Sequence, residues 1–175
     1  MAANGGLHLG TRHLGRGHDQ LGASLAEFAL ILPIFALLLF GLIDFGVVYS
    51  NTIALRSGVR EGARIAAVNN EGSSAPTCTK NAGAPAFPDN FTGNLVCLTR
   101  SKIGLNVTTE VDVSFPNGGT PAVGDPAQIT AKVCAKSTTG LTKPFLSGKS
   151  VSSSTQIRLE QTPSFTAYSD AAISC

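Results

Sequence analysis

Glu27 places a carboxylate at the start of a membrane-length apolar stretch, five residues after Gly22. Bringing a charged side chain into the bilayer costs roughly 3 kcal/mol on insertion scales, so an acid at such a position is by default a candidate functional residue. The chemistry open to a lone carboxylate there is pairing with a cationic group, because a charge that leaves water needs a partner. Glu27 is therefore the first candidate site residue.

Residues that support catalysis or metal binding are scarce. All three histidines precede Gly22, so the rest of the chain has no histidine to act as a general base. The serines at 152–154 lie in a polar stretch without a catalytic partner, Gly118-Gly119 lacks the spacing of a phosphate loop, and the four cysteines form no CxxC pair. The formal charge of +2 is too small to argue for nucleic acid. We expect no enzymatic activity, no cofactor, no metal and no nucleic-acid partner.

The element that positions Glu27 is an apolar stretch from Leu25 to Val48. At about 1.5 Å per residue it is long enough to cross a hydrocarbon core of roughly 30 Å. It is also longer than the apolar region of a secretory signal peptide, and no small-x-small cleavage site follows it. Glu27 and Asp44 lie about 25 Å apart along a helix, so each comes near an interface, where snorkelling or a nearby partner makes the charge tolerable. The sequence predicts a transmembrane helix over residues 23–48 in inner-membrane lipid.

The helix is predicted to continue to residue 68 as an amphipathic segment, 49–68. Apolar and small residues recur at steps of three and four, and arginines form the opposing stripe. The first set is Val48, Thr52, Leu55, Val59, Ala63 and Ala66, and the second is Arg56, Arg60 and Arg64. The stretch from Asn69 to Pro76 then ends the helix, since glycine and proline disfavour its continuation.

The remainder predicts a small sheet. Leu105–Phe115 has its apolar residues at the odd positions, and Ala127–Lys136 and Val151–Glu160 alternate in the same way. A fourth run, Asn94–Thr99, is interpreted as a short edge strand. The predicted fold class is α+β: a long N-terminal transmembrane helix that continues as an amphipathic helix, packed on an antiparallel β-sheet of three to four strands.

The four cysteines all follow the apolar stretch and suggest an oxidising compartment. We therefore expect a single-pass protein in the cell membrane with its C-terminus outside, and a disulfide-braced β domain over residues 69–175. Four cysteines allow three connectivities. Sequential pairing closes the shorter loops and is favoured, which joins Cys78 to Cys97 and Cys134 to Cys175.

Several motifs together resemble the N-terminal signature of the TadE family, minor pilin-like proteins (pseudopilins) of tight-adherence, Flp-type pilus systems. They are Glu27–Pro33, Phe40–Gly46 and Arg60–Arg64, with a weaker likeness at Ile157–Glu160. Gly22, followed five residues later by Glu27, likewise resembles the processing site of type IV pilin-like precursors. The resemblance implies a leader peptide over residues 1–22, cut by a prepilin peptidase between Gly22 and Ala23. It says little about residues 69–95, a loop that departs from the family pattern.

The resemblance further implies a role with other pilin or pilin-like subunits in assembling, priming or capping a type IV pilus. It leaves open whether the protein enters the extracellular filament. Cleavage would create a positive amine at Ala23, one helical turn from Glu27, and the carboxylate could neutralise that amine or a neighbouring subunit's. A second class of function stays open: a single-span, unprocessed envelope domain for binding or cell adhesion. The mature N-terminus discriminates between the two.

Overall fold

The structure is a computed structural model that describes the backbone of residues 17–70, 78–105 and 107–175, and side chains from residue 22 onward. Its elements are α1 (Gly17–Ala67), α2 (Asn90–Ile103), β1 (Thr109–Ser114), β2 (Pro126–Cys134), α3 (Lys143–Leu146) and β3 (Ser150–Arg158). The strands form one antiparallel sheet in the order β1-β2-β3. The long helix and the antiparallel sheet confirm the predicted α+β class.

Helix α1 is long and apolar enough from Gly22 to Ala67 to cross a membrane. The large apolar side chains between Leu25 and Phe45 are exposed. The chain divides into two compact units after Leu39, and the second, which we call the C-terminal unit, contains α1 from Phe40 onward together with the sheet. Most of the predicted leader, residues 1–22, lies outside the described residues.

The last third of α1 is amphipathic, as predicted from its spacing. Leu55, Val59, Ala63 and Ala66 are fully buried, while the three arginines of the opposing stripe are exposed. Asn69 ends the helix in a left-handed conformation, φ 49°. The Asn69 and Asn70 N–H groups donate back to the carbonyls of Ala66 and Ile65, which satisfies carbonyls that the helix end leaves open.

The sheet presents its odd-numbered residues to the core. The strand register places Val111 opposite Ala131 and Val113 opposite Ile129, and all four are buried. Because side chains alternate between the faces of a strand, Glu110, Asp112 and Lys132 share the other face. The core face packs with the buried residues of α1 and with Phe91, Leu95, Val96 and Ile103 of α2.

Helix α2 corrects the prediction of an edge strand at Asn94–Thr99. Asp89 caps the helix by accepting a hydrogen bond from the Thr92 N–H, and Gly104 ends it with φ 66°. Both are recognisable helix signals that flank the segment in the sequence. Both signals lie outside Asn94–Thr99, and within these six residues the run of apolar side chains resembles a strand.

Small residues let α2 approach α1 closely. A Cβ placed at Gly58 would lie 2.7 Å from the Ile103 nitrogen, and one at Gly62 would lie 3.1 Å from the Thr99 Cγ2. Gly58 and Gly62 are four residues apart in α1, as Thr99 and Ile103 are in α2, so each pair lies along one helix face. The two helices therefore meet nearly backbone to backbone.

The three strands are close to their predicted positions but shorter. The first begins at Thr109 rather than Leu105, because Thr109 is paired with Val133 and its partner strand ends one residue later, at Cys134. The outer edge of β1 is partly covered by the C-terminal segment, where Val113 and Tyr168 exchange two backbone hydrogen bonds. Residues 71–77 of the predicted 69–95 loop lie outside the described residues.

Candidate functional site

Gly22, Ala23 and Glu27 all lie in α1 and are exposed. A Cβ at Gly22 would meet no atom within 4 Å, so none of the described residues covers this glycine. Ala23 and Glu27 are four residues apart in the helix and lie on the same face, one turn from each other. The helix thus places the Glu27 side chain one turn from residue 23, which is the spacing needed for pairing with an amine at that residue.

Asp44 is the acid of α1 that is buried, with 1% of its surface exposed. Its Oδ1 accepts hydrogen bonds from the Thr138 and Thr139 N–H groups at 2.9 and 3.0 Å. Its Oδ2 accepts from the Ser137 and Thr139 hydroxyls, each at 2.7 Å, and from the Thr142 hydroxyl. We call Ser137–Thr142 the hydroxyl loop. It surrounds both oxygens of one carboxylate with donors, which offsets the cost of removing that charge from water.

The sequence does not identify the hydroxyl loop as a binding element. The Ser/Thr-rich stretch from Thr138 to Thr155 has the pattern of a solvated loop and strand face, and the expected partner near Asp44 is not located by that pattern. The available signal is the combination of an acid in an apolar run with a cluster of hydroxyl residues later in the chain. Sequence alone does not pair them, because about ninety positions separate them.

Two disulfides brace the C-terminal unit. Cys78 is bonded to Cys97 and Cys134 to Cys175, which is the sequential pairing favoured from the sequence. The first bridge attaches the segment before α2 to that helix, and the second attaches the end of β2 to the last residue. Both therefore hold segments that lack regular structure of their own.

A buried ion pair lies close to the first bridge. Arg100 donates to the Asp170 Oδ2 and also to the Thr79 carbonyl at 3.2 Å. The Asp170 Oδ2 accepts in addition from the Asn81 side chain at 2.9 Å and from the Val111 N–H at 3.1 Å. Asp170 thereby joins α2, β1 and the loop after Cys78, so its role is structural.

Three charged side chains interact on the outer face of the sheet. Lys132 donates to Glu110 at 2.6 Å and lies 3.7 Å from Asp112. Burial alone would raise the pKa of Glu110, but the hydrogen bonds from Lys132 and from the Ile173 N–H bring it below its ordinary value. Burial and the negative charge of Glu110 instead raise the pKa of Asp112. The hydrogen bond to Glu110 raises the pKa of Lys132.

No group of three or more His, Cys, Asp or Glu residues is arranged to hold a metal ion within the described part of the chain. The arginine stripe of α1 is exposed, and Arg64 lies 3.9 Å from Glu61 on the same helix. The structure thus offers two candidate features on α1: an exposed Gly22–Glu27 segment and a carboxylate at residue 44 enclosed by the hydroxyl loop.

Comparison with known proteins gives one finding. Residues 22–64 match the family model described as TadE-like protein. Searches of curated proteins and of solved structures gave no significant match. The matched range begins at the glycine of the predicted processing site, includes Glu27 and Asp44, and ends in the amphipathic part of α1. Over these residues the chain is similar to the TadE-like family, as the motifs in its sequence predicted.

Proposed function

We propose that this protein is a minor pilin-like, structural component of a tight-adherence type IV pilus, and that a prepilin peptidase processes it after Gly22. The observation that carries the proposal is the TadE-like match over residues 22–64, which coincides with a long helix of exposed apolar side chains. Such a helix needs lipid before assembly and neighbouring subunits in a filament. The proposal assigns the chain an assembly, priming or capping role and no catalysis.

In this proposal the apolar part of α1 anchors the protein in the cell membrane, and the part of the C-terminal unit that follows α1 lies outside the cytoplasm. Two disulfides suit that location, because they form and persist in oxidising compartments. Its partners are the peptidase, membrane lipid and other pilin-like subunits.

The proposed cleavage falls within α1, between Gly22 and Ala23. A protease needs an extended substrate, so the helix has to open locally at that point. Glycine lowers the cost of opening, because it is less favourable in a helix than alanine by about 1 kcal/mol. The exposure of Gly22 leaves room for the peptidase to approach.

The mature N-terminus tests the processing step. Co-expression with a prepilin peptidase, followed by mass spectrometry of the intact protein, is expected to show a chain that begins at Ala23. Gly22→Leu should block the cut, whereas Gly41→Leu, a matched change at another open glycine of α1, should leave it unaffected. A leader that stays intact beside an active peptidase would contradict the proposal and support the unprocessed envelope domain instead.

Glu27 is proposed to pair with the new amine at Ala23 or with that of a neighbouring subunit. Glu27→Leu is expected to insert in the membrane and to be processed, but to enter pilus fractions several-fold less than the unmodified protein. Glu160→Leu, at an exposed acid of the C-terminal unit, is the control and should incorporate normally. Equal incorporation of Glu27→Leu and the control would remove Glu27 from the assembly mechanism.

A further inference from the structure

The segment Lys136–Lys149, which we call the basic segment, is fastened to α1 at the carboxyl end of the apolar run. It contains the hydroxyl loop, whose backbone and side chains enclose Asp44. The α1 side chains around Asp44 are apolar and exposed: Phe40, Leu42, Ile43 and Phe45. The basic segment is therefore held against α1 close to the carboxyl end of the predicted span, residues 23–48.

The basic segment exposes large apolar side chains of its own. Phe145 is 79% exposed, a larger fraction than for any other large apolar side chain in the described part of the chain, and Leu141 is 52% exposed. Both lie close to Thr142, which donates to Asp44. Phe145 and Leu141 thus add exposed apolar area to the same segment that Thr142 holds on α1.

The same segment is basic. Lys136, Lys143 and Lys149 are exposed, and no acidic residue occurs between Pro126 and Leu159. Each lysine near an anionic bilayer surface contributes about 1 kcal/mol of attraction. Exposed Phe and Leu next to lysines is the composition of elements that lie in the membrane interface, with the apolar side chains below the headgroups and the amines on the phosphates.

We infer that the basic segment rests on the anionic membrane surface, with Phe145 and Leu141 inserted at the level of the headgroups and the three lysines bound to lipid phosphates. The inference rests on the proposed membrane insertion of α1. Asp44 then acts as the fastening that keeps the segment at this depth. The sheet and α2 would then be held at the membrane by two contacts, the membrane-spanning part of α1 and the basic segment, rather than by a single helix.

A single tryptophan reports the contact directly, because the natural chain has none. The full chain with Phe145→Trp is reconstituted in vesicles of phosphatidylcholine with phosphatidylglycerol, with and without lipids brominated near the headgroup. We expect a blue-shifted emission and strong quenching by the brominated lipid. Val123→Trp is the matched control, because Val123 is also exposed. It lies near the other end of α1: the neighbouring Gly124 donates to the Leu159 carbonyl, and Glu160 donates to the Ala67 carbonyl. Quenching of a tryptophan at residue 123 should therefore be several-fold weaker.

The charge component is tested in the Phe145→Trp background. Replacing Lys136, Lys143 and Lys149 by glutamine should reduce quenching in phosphatidylglycerol vesicles to the level seen in phosphatidylcholine alone. Lys102→Gln, at an exposed lysine of α2, should leave it unchanged. Equal quenching for the triple variant and the control would overturn the lysine assignment.

Insertion of α1 is measured on the same samples by resistance to alkaline extraction. If α1 is extracted, the membrane anchor of the proposed function fails. If α1 stays inserted while the Phe145→Trp variant is quenched no more than the Val123→Trp variant, only the inference about the basic segment fails. A blue shift that accompanies self-association, without quenching by brominated lipid, would assign the surface to a neighbouring subunit and overturn the lipid contact.

Discussion

Asp44 and Glu27 are acids of the same apolar helix, yet their surroundings differ. Glu27 is exposed, and its proposed partner is an amine that processing would create. Asp44 is buried and accepts hydrogen bonds from two N–H groups and three hydroxyls of the hydroxyl loop. The first acid is available for an intermolecular contact, while the second is committed to an internal one.

Asp44→Asn should open the hydroxyl loop. The amide nitrogen cannot accept the hydroxyl hydrogen bonds, so the donors around that atom lose their acceptor. Hydrogen exchange of the full chain in detergent is expected to accelerate by about tenfold or more at the Thr138 and Thr139 amides, which bond to this carboxylate. Asp125→Asn changes a carboxylate of a different turn and should leave those amides protected. Unchanged protection in Asp44→Asn would mean that the loop holds its position without the charge.

Glu110 gives the sheet a pH-dependent contribution to the free energy of unfolding. Its folded pKa is lowered, so its contribution is complete above the ordinary carboxyl pKa of about 4.3 and is lost as the pH falls through the folded value. Glu110→Gln should therefore cost roughly 1 kcal/mol at pH 7 and progressively less towards pH 3, measured by urea unfolding.

Asp112 makes a pH-dependent contribution of opposite sign to the free energy of unfolding, so it serves as the control. Its folded pKa is raised, so its ionised form weakens the fold above that value and protonation removes the penalty. The free energy of unfolding of Asp112→Asn, relative to that of the unmodified protein, should be higher at pH 7 than at pH 3. The same trend with pH in both variants would contradict the assignment of these shifts.

At the scale of elements, the contact between α1 and α2 depends on glycine. A Cβ at Gly58 would lie 2.7 and 2.9 Å from the Ile103 N and Cα, and a backbone cannot move aside as a flexible side chain can. Gly58→Ala is expected to destabilise the protein by about 1–3 kcal/mol, because overpacking exceeds the gain in helix propensity. Thermal unfolding followed by circular dichroism checks this.

Gly46→Ala is the matched control on the same helix. Gly46 is exposed and a Cβ there would meet no atom within 4 Å, so only helix propensity changes. This variant should be neutral or gain up to about 1 kcal/mol. Equal melting temperatures for the two variants would show that α2 can withdraw from α1 without cost.

At the scale of the whole molecule, the C-terminal unit depends on its covalent bridges. Cys78–Cys97 and Cys134–Cys175 span 19 and 41 residues, and restricting such loops in the unfolded chain contributes about 3 and about 4 kcal/mol. Replacing each pair by serine should lower the urea midpoint, with the larger effect for Cys134/Cys175. A reductant should lower the urea midpoint of the unmodified protein. It should leave unchanged the urea midpoint of the variant in which all four cysteines are replaced by serine. If neither replacement of the cysteines nor reduction changes the urea midpoint, packing alone holds the unit.

The TadE-like match ends at residue 64, so the sheet, α2 and the hydroxyl loop lie beyond it. Much of this part is still predictable. The three strands follow from period-two alternation, and the amphipathic end of α1 follows from steps of three and four, because each pattern repeats within a few residues. Asp89 and Gly104 also indicate α2 when a wider window is considered.

Short-range patterns are sufficient to predict the apolar helix, the spacing of Glu27 from Gly22, the three strands and the TadE-like signature, since all of these depend on residues close together in the chain. Three long-range contacts are visible in the folded chain alone: Asp44 is enclosed by Ser137–Thr142, Arg100 meets Asp170, and α2 packs on Gly58 and Gly62. Hydrogen-bonding capacity and side-chain size are local properties, whereas the partner that satisfies them is set by how distant segments fold together.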